Sequence, residues 1–245
     1  MFKFLVENFK YTNDCIILAT PMVLFFIALQ WYIESNQYSL SSIPSYLFFY
    51  ITLWVFVSGC FAGWFYMVKK TLQFSKKTFL FDTDRITAIS KLFYCLIKGI
   101  GKFFMPFLAV VASCFVFNII KMILLFFAYA DKGKDQYELI SVISILIVYA
   151  IGYFFIFWIP EIVYTYKNPF ISLVKSVNKA FIIFPKMIIP YIFICTIMLL
   201  IDFLLVNSQA YPFLYFFILL IAYYFVLYSV LLVFGFYDKK FIEEN

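Results

Sequence analysis

Six long apolar runs, separated by short polar segments, dominate the pattern of this 245-residue chain. Each run is close to the ~20 residues that an α-helix needs to cross a bilayer. Helices are predicted because a segment in lipid must satisfy its own backbone groups, and the alternation typical of a membrane barrel is missing. The pattern predicts an all-α fold, a single polytopic membrane helix bundle over residues 1–245. The predicted spans are residues 15–33, 46–68, 103–129, 139–160, 187–206 and 212–236.

Lysine and arginine are distributed unevenly between the two sides that these spans define. With a cytoplasmic N-terminus, 16 of the 19 basic residues lie in inner segments, Lys132 and Lys134 lie in an outer loop, and Lys121 lies within the third span. This asymmetry predicts a multi-pass protein of the cytoplasmic membrane with both termini in the cytoplasm. The net charge of +6 favours contact with anionic inner-leaflet lipids and does not indicate a nucleic acid partner.

Composition indicates a membrane protein and argues against several kinds of catalytic and metal site. Hydrophobic residues make up 66% of the chain and charged residues 13%, whereas soluble domains are about 45–50% apolar and about 25% charged. Histidine is absent, which argues against metal-dependent hydrolysis and against histidine-dependent serine catalysis. The five cysteines form no C-x-x-C pair, and no nucleotide-binding or nucleophile motif is present. The sequence therefore predicts no metal site and no cofactor.

Two segments on the inner side are predicted to be amphipathic helices lying in the membrane interface. They are Ile86–Lys102 and Phe170–Lys186, and each has lysines on one face and apolar residues on the other. We expect the lysines to contact anionic lipid headgroups. The lysines are Lys91, Lys98 and Lys102 in the first segment and Lys175 and Lys179 in the second.

The two amphipathic segments resemble each other, and each is preceded and followed by a span. A shift of 81 positions superimposes three pairs of residues, Leu92 with Leu173, Lys98 with Lys179, and Phe103 with Phe184. An internal repeat of span, interfacial helix and span is one interpretation. Chance agreement is the other, because few positions match.

The second span carries a G-x-x-x-G pair, Gly59 and Gly63. Small residues at this spacing form a groove in which another helix can approach closely. The partner is either another span of the same chain or a second copy of the chain. We favour a partner in the same chain, because a six-helix bundle has many internal interfaces.

Two ionisable residues lie at membrane depth, Lys121 in the third span and Asp202 in the fifth. Their depths agree within roughly one helical turn when they are counted from the inner ends of the spans. We predict an intramembrane ion pair between them. A structural pair, or two side chains that reach the outer surface separately, is the simpler interpretation. A gate, or a proton or ion site, is the alternative.

Pro160 and Glu161 end the fourth span. Proline lacks an N–H and clashes with the carbonyl four residues earlier, so the helix is predicted to kink or fray near Ile156. The pair is predicted to form a hinge at the inner edge, where Glu161 forms an interfacial salt bridge to the second amphipathic helix. The candidate cations are Lys167, Lys175, Lys179 and Arg85. A proton-accepting role for Glu161 is the alternative.

The same stretch carries a resemblance. Pro160-Glu161 is followed by Ser172-Leu173-x-x-Ser176 and then Phe184, and the last span ends in Tyr237-Asp238. The order is similar to that of a group of bacterial six-span proteins. The group includes the membrane domain attached to some glycerophosphodiester phosphodiesterases and related standalone proteins of unknown function. Where that group usually has tryptophan, this chain has Val177. The resemblance implies a membrane fold and carries no activity across.

These observations predict a non-enzymatic integral membrane protein with an accessory or lipid-interacting role. The first alternative is a transporter or permease subunit, for example of an ABC-type system with a separate ATPase chain. The second alternative is an intramembrane lipid-modifying enzyme. Such an enzyme would need a polar cavity that brings Glu161, Asp202 or Lys121 together with tyrosines.

Overall fold

The computed structural model describes residues 2–36, 43–73, 85–132, 134–165 and 168–243, and these residues contain helices and no strand. The predicted all-α class is therefore confirmed. A 3₁₀ turn, Ile16–Leu18, joins the first two helices, and a π-helical turn, Lys239–Glu243, follows the last. The α-helices are α1 (Phe2–Asp14), α2 (Ala19–Asn36), α3 (Ile43–Gln73), α4 (Arg85–Lys132), α5 (Lys134–Phe155), α6 (Trp158–Thr165), α7 (Pro169–Ile182), α8 (Phe184–Ser208) and α9 (Pro212–Asp238).

Within the described residues, six helical segments are long and apolar enough to cross a membrane. The chain is accordingly a multi-pass membrane protein. Five of the six agree closely with the predicted spans, and the third begins 13 residues earlier than predicted. The segments are Ile16–Ser35, Phe48–Gln73, Ser90–Ile120, Ile143–Thr165, Phe184–Ser208 and Pro212–Ile242.

The segment Ile86–Lys102 is helical, as predicted, but it does not form a separate helix. It is continuous with the third span in α4, whose 48 residues extend for about 72 Å, more than twice the ~30 Å hydrocarbon core. The apolar residues between its lysines allow the helix to continue. Close packing of Gly99 against α3 holds it there.

Small residues hold α3 and α4 together. A Cβ atom added to Gly63 would lie 2.8 Å from the carbonyl oxygen of Leu96, and one added to Gly99 would lie 2.9 Å from that of Ala62. Such distances leave no room for a side chain, so the two backbones are in direct contact. Gly59 is looser, since its added Cβ would approach only Ile100, at 4.0 Å. The partner of the G-x-x-x-G helix thus lies in the same chain.

Aromatic rings fill the core at one end of the bundle. The Phe65 ring of α3 stacks on Phe107 of α4 at 5.6 Å between ring centroids and on Phe234 of α9 at 5.8 Å. Three helices therefore meet around one side chain. Lys69, Lys179 and Tyr237 lie at this same end, which we call the basic end of the bundle.

The N-terminal helix α1 packs against the bundle. The side-chain amide of Asn8 donates a hydrogen bond to the Tyr228 carbonyl of α9 at 3.1 Å, and the Tyr11 hydroxyl donates to the Thr71 carbonyl of α3 at 3.3 Å. Burial raises the pKa of the Cys15 thiol to about 12. The thiol therefore stays protonated at neutral pH, as expected for a packing residue rather than a nucleophile.

Candidate functional site

The site begins at a break in the fourth span. α5 ends at Phe155 and α6 begins at Trp158, so the predicted discontinuity before Pro160 is present. The missing N–H and the ring of Pro160 disrupt the turn that starts at Ile156. Beside the break, the carbonyl of Phe154 accepts a hydrogen bond from the Ser176 hydroxyl of α7 at 3.0 Å. The sequence thus supplies the proline that breaks the helix and also a hydroxyl that bonds a carbonyl beside the break.

Glu161 lies in the first turn of α6 and is almost completely buried, with 1% of its side chain exposed. The Lys179 ammonium of α7 lies 2.6 Å from its Oε2 atom. The Tyr237 hydroxyl of α9 donates to the same oxygen, and Lys179 donates to the Tyr237 hydroxyl at 2.7 Å. Three helices therefore meet in one closed group, which we call the Glu161 cluster: Glu161, Lys179 and Tyr237.

Aromatic rings complete the surroundings of Lys179. Its ammonium lies 4.4 Å from the ring centroid of Tyr237 and 4.6 Å from that of Phe241. Both distances are well within the range of a cation–π interaction, which strengthens where water is excluded. The side chain is 23% exposed. The cation is thus stabilised by one carboxylate, one hydroxyl and two ring faces.

The orientation of α7 explains why Lys179 reaches Glu161. Its buried residues are small and mostly polar, namely Ser172, Ser176 and Ala180. Its exposed residues are large and apolar, namely Phe170, Ile171, Val174, Phe181 and Ile182. In lipid the polar face is better satisfied against the protein than against acyl chains. The expectation that Lys179 contacts lipid headgroups is therefore wrong, because its ammonium is bound inside the bundle.

A second buried lysine lies beside the Glu161 cluster. Lys69 of α3 is 9% exposed, donates to the Val163 carbonyl at 2.8 Å, and lies 4.6 Å from the ring centroid of Tyr164. A cation at the last carbonyls of α6 also suits the helix dipole. Asp238 acts electrostatically on the Tyr164 hydroxyl, but that hydroxyl makes no hydrogen bond of normal geometry.

Sequence reasoning did not assign roles to Lys69 or Tyr237. Lys69 is one of the 16 basic residues of the inner segments, and Tyr237 enters the resemblance through the Tyr237-Asp238 pair that ends the last span. Tyr237 is 76 residues from Glu161 along the chain. No local pattern could have joined them. Only a general rule points to this contact. A buried carboxylate requires hydrogen-bond donors, and Tyr237 is a donor at the end of another span.

The remaining predicted site residues lie elsewhere. Lys91, Lys98 and Lys102 are exposed on α4, and Lys175 on α7 is partly exposed. Asp202 is exposed on α8. The side chain of Lys121 lies outside the described part of the structure, so the Lys121–Asp202 pair stays a prediction. Two other candidate partners of Glu161, Lys167 and Arg85, also lie outside the described side chains.

The described residues contain no group of three or more His, Cys, Asp or Glu that could hold a metal ion. Two apolar pockets, of about 320 and 180 Å³, open at the surface of the bundle, and neither includes the Glu161 cluster in its walls. Comparison of the chain with family models, curated proteins and solved structures finds no match. The resemblance to the membrane domain of bacterial phosphodiesterases therefore stays a prediction.

Proposed function

We propose that this protein is a non-enzymatic component of the cytoplasmic membrane with an accessory, lipid-interacting role. The basic end faces the cytoplasm in this proposal, and both termini lie there. One observation carries the proposal. Glu161, the buried acid that a catalytic reaction would need, is already bound by side chains of the protein itself. Lys179 and Tyr237 both bind Oε2 of Glu161, so this oxygen is occupied by the protein rather than open to a substrate.

The burial of Glu161 supports a structural role for the cluster. A general acid or base must lie within hydrogen-bond reach of its substrate or of a connecting water. With 1% of its side chain exposed, Glu161 has no such access. The cluster instead joins α6, α7 and α9, and it holds the apolar face of α7 outward.

The lipid-interacting part of the proposal rests on two exposed surfaces at the basic end. One is the apolar face of α7, which includes Phe170 and Phe181. The other is the lysine-bearing face of α4, which includes Lys98 and Lys102. An apolar surface beside exposed cations matches the inner leaflet, where acyl chains meet anionic headgroups.

Reconstitution tests this proposal. The purified protein is placed in vesicles of phosphatidylcholine alone or of phosphatidylcholine mixed with phosphatidylglycerol, and its unfolding temperature is measured. We expect a higher unfolding temperature with phosphatidylglycerol, because a ligand that binds the folded state stabilises it. The gain should shrink at high salt, which screens exposed charges. Equal unfolding temperatures in the two vesicles would contradict the lipid-interacting role.

A transporter or permease subunit is the second candidate, and one observation favours it. The α5–α6 span is broken beside a buried carboxylate, as in transporters whose ion and substrate sites lie at discontinuous helices. The test is purification of the tagged chain from its native membrane. An ATPase that co-purifies with it, and whose activity falls in Glu161→Gln, would support this candidate. Purification without any ATPase would reject the ABC-type version.

The third candidate, a lipid-modifying enzyme, has less support. It requires Glu161 and Asp202 to share a cavity. Asp202 is exposed on α8, 18 residues beyond Phe184, which corresponds to about 27 Å along the helix. Lys179, the partner of Glu161, lies just before Phe184 in the chain. The two carboxylates thus belong to different levels of the bundle.

A further inference from the structure

Two lysines, Lys70 on α3 and Lys102 on α4, lie beside the Tyr66 ring where α3 and α4 pack closely. A third, Lys98, lies one helical turn before Lys102 on α4. A Cβ atom added to Gly99 would lie 2.7 Å from the Tyr66 Cβ and 3.0 Å from the Gly63 Cα. Contact this close fixes the two backbones relative to each other. The lysines are therefore held together by rigid helix packing, not by a mobile loop.

The ammonium groups of two of these lysines lie beside the same aromatic ring. Those of Lys70 and Lys102 are each 5.8 Å from the ring centroid of Tyr66. Lys98 and Lys70 both act on Lys102 as like charges. A distance of 5.8 Å is close to the limit of a cation–π interaction, so the buried ring offsets little of this repulsion. An anion between the lysines would stabilise the arrangement.

For two of these lysines, Lys70 and Lys98, the described residues supply no such anion. Lys70 donates to the side-chain oxygen of Gln73 at 2.9 Å, which is a neutral acceptor. Among the residues that the structure describes, neither Lys70 nor Lys98 forms an ion pair. Lys70 and Lys98 therefore remain available to an external anion of at least one negative charge.

An apolar notch lies next to these lysines. Gly101 is exposed, and a Cβ atom added to it would meet nothing within 4 Å. Ile97 and Met105, one turn away on either side, are 68% and 70% exposed. The notch is open along the surface of α4. A cationic cleft beside an apolar notch fits a molecule with an anionic head and an acyl chain.

We propose that Lys70, Lys98 and Lys102 bind the phosphate headgroup of one anionic phospholipid, whose acyl chain lies along the notch at Gly101. The proposal rests on the lipid-interacting role above and gives it a defined site and ligand. It includes Lys70, to which the sequence assigned no role. It also assigns the lipid site to Lys98 and Lys102 and not to the other predicted lipid-contacting lysines, Lys91, Lys175 and Lys179.

Native mass spectrometry of the full chain, released from nanodiscs of equal phosphatidylglycerol and phosphatidylcholine, tests the site. The wild type should retain one phosphatidylglycerol. The triple variant Lys70→Gln/Lys98→Gln/Lys102→Gln should bind it about 100-fold more weakly, given the usual contribution of three lysines near a membrane surface. A matched control, Lys10→Gln/Lys175→Gln/Lys186→Gln, removes the same charge from other surfaces and should behave like the wild type.

The outcomes separate this site from the broader proposal. If both triple variants lose phosphatidylglycerol equally, the protein attracts anionic lipid only diffusely, and the site is overturned while the lipid-interacting role stands. If the wild type retains both lipids equally, the lipid-interacting role itself fails. If soluble glycerol 3-phosphate displaces the retained lipid at comparable concentration, the ligand is a free phosphate compound, and the lipid assignment is overturned.

A second variant tests the notch without changing charge. Gly101→Leu should fold, because leucine favours the helix more than glycine does and the added side chain meets no atoms. We expect it to fill the notch and reduce retention of phosphatidylglycerol severalfold. Retention equal to that of the wild type would show that the acyl chain does not lie at Gly101 and would overturn that part of the proposal.

Discussion

The two amphipathic segments of this chain share a pattern of lysines on one face and apolar residues on the other, but they have opposite relations to the protein. The first, Ile86–Lys102, is continuous with a span, and its Lys98 is exposed. The second contains a separate helix, α7, and its Lys179 is bound to Glu161 inside the bundle. A shift of 81 positions places these two lysines at equivalent positions. Equivalent positions on an amphipathic helix therefore do not imply equivalent surroundings.

The difference arises from what each helix finds beside it. α7 packs against a break, where Glu161 and a freed carbonyl need donors, so its polar face turns inward. The first half of α4 packs against α3 through glycine contacts that need no polar partner, so its lysines stay outside. In a membrane the location of unsatisfied polar groups, rather than apolar burial, decides which face of a helix meets the protein.

Removal of the two equivalent lysines should give the largest difference. Lys179→Met leaves the Glu161 carboxylate buried with only Tyr237 as a donor, and a buried charge without its counter-ion typically costs about 3–5 kcal/mol. Lys98→Met alters an exposed residue and should change stability by less than about 0.5 kcal/mol. Unfolding in mixed micelles with increasing SDS measures both.

The double variant Glu161→Gln/Lys179→Met sharpens this comparison. Removing both charges also removes the desolvation cost, so the double variant should recover more than half of the stability lost in Lys179→Met. Equal losses in Lys179→Met and Lys98→Met would show that the two segments are equivalent after all. A double variant less stable than Lys179→Met would show that Glu161 is stabilised by other donors.

The break and most of the spans could be predicted because their causes are local. A run of apolar residues of sufficient length is a helix wherever it occurs in lipid, and Pro160 interrupts its own turn whatever surrounds it. The sequence predicts too late a start for the third span, because Lys91, Lys98 and Lys102 indicate the edge of the membrane. The structure accommodates them within one long helix, where lysines reach the surface through flexible stems.

The Glu161 cluster could be predicted only in part. The sequence indicates that Glu161 needs a cation, and it offers three lysines and one arginine as candidates. Helical periodicity cannot say which face of α7 turns inward. Tyr237 was beyond reach, because its contact depends on how α9 packs. The close contact at Gly99 had a weak signal in the sequence. Cys95 and Gly99 are two small residues four positions apart, like Gly59 and Gly63 of the G-x-x-x-G pair.

Substitutions of two nearby glycines of α4 should differ in sign. In Gly99→Ala the new Cβ would lie 2.7 Å from Tyr66 and 2.9 Å from the Ala62 carbonyl oxygen, and such overpacking costs about 2 kcal/mol. In Gly101→Ala the new Cβ meets nothing within 4 Å, and the gain in helix propensity should stabilise the protein by up to about 1 kcal/mol. SDS unfolding reports both, and two equal effects would contradict the close α3–α4 contact.

The smallest expected effect concerns the two tyrosines beside Glu161, whose rings lie 5.2 Å apart. Tyr237→Phe removes a hydroxyl that donates to a buried carboxylate and accepts from Lys179, and a hydrogen bond to a charged group is worth about 1.5 kcal/mol or more. The Tyr164 hydroxyl is buried and makes no hydrogen bond of normal geometry, so Tyr164→Phe should be neutral or slightly stabilising. Both variants keep the ring, so packing is matched, and SDS unfolding compares them directly. A larger loss of stability in Tyr164→Phe than in Tyr237→Phe would contradict this prediction. It would show that Tyr164, which lies beside Lys69, and not Tyr237, is the donor that stabilises Glu161.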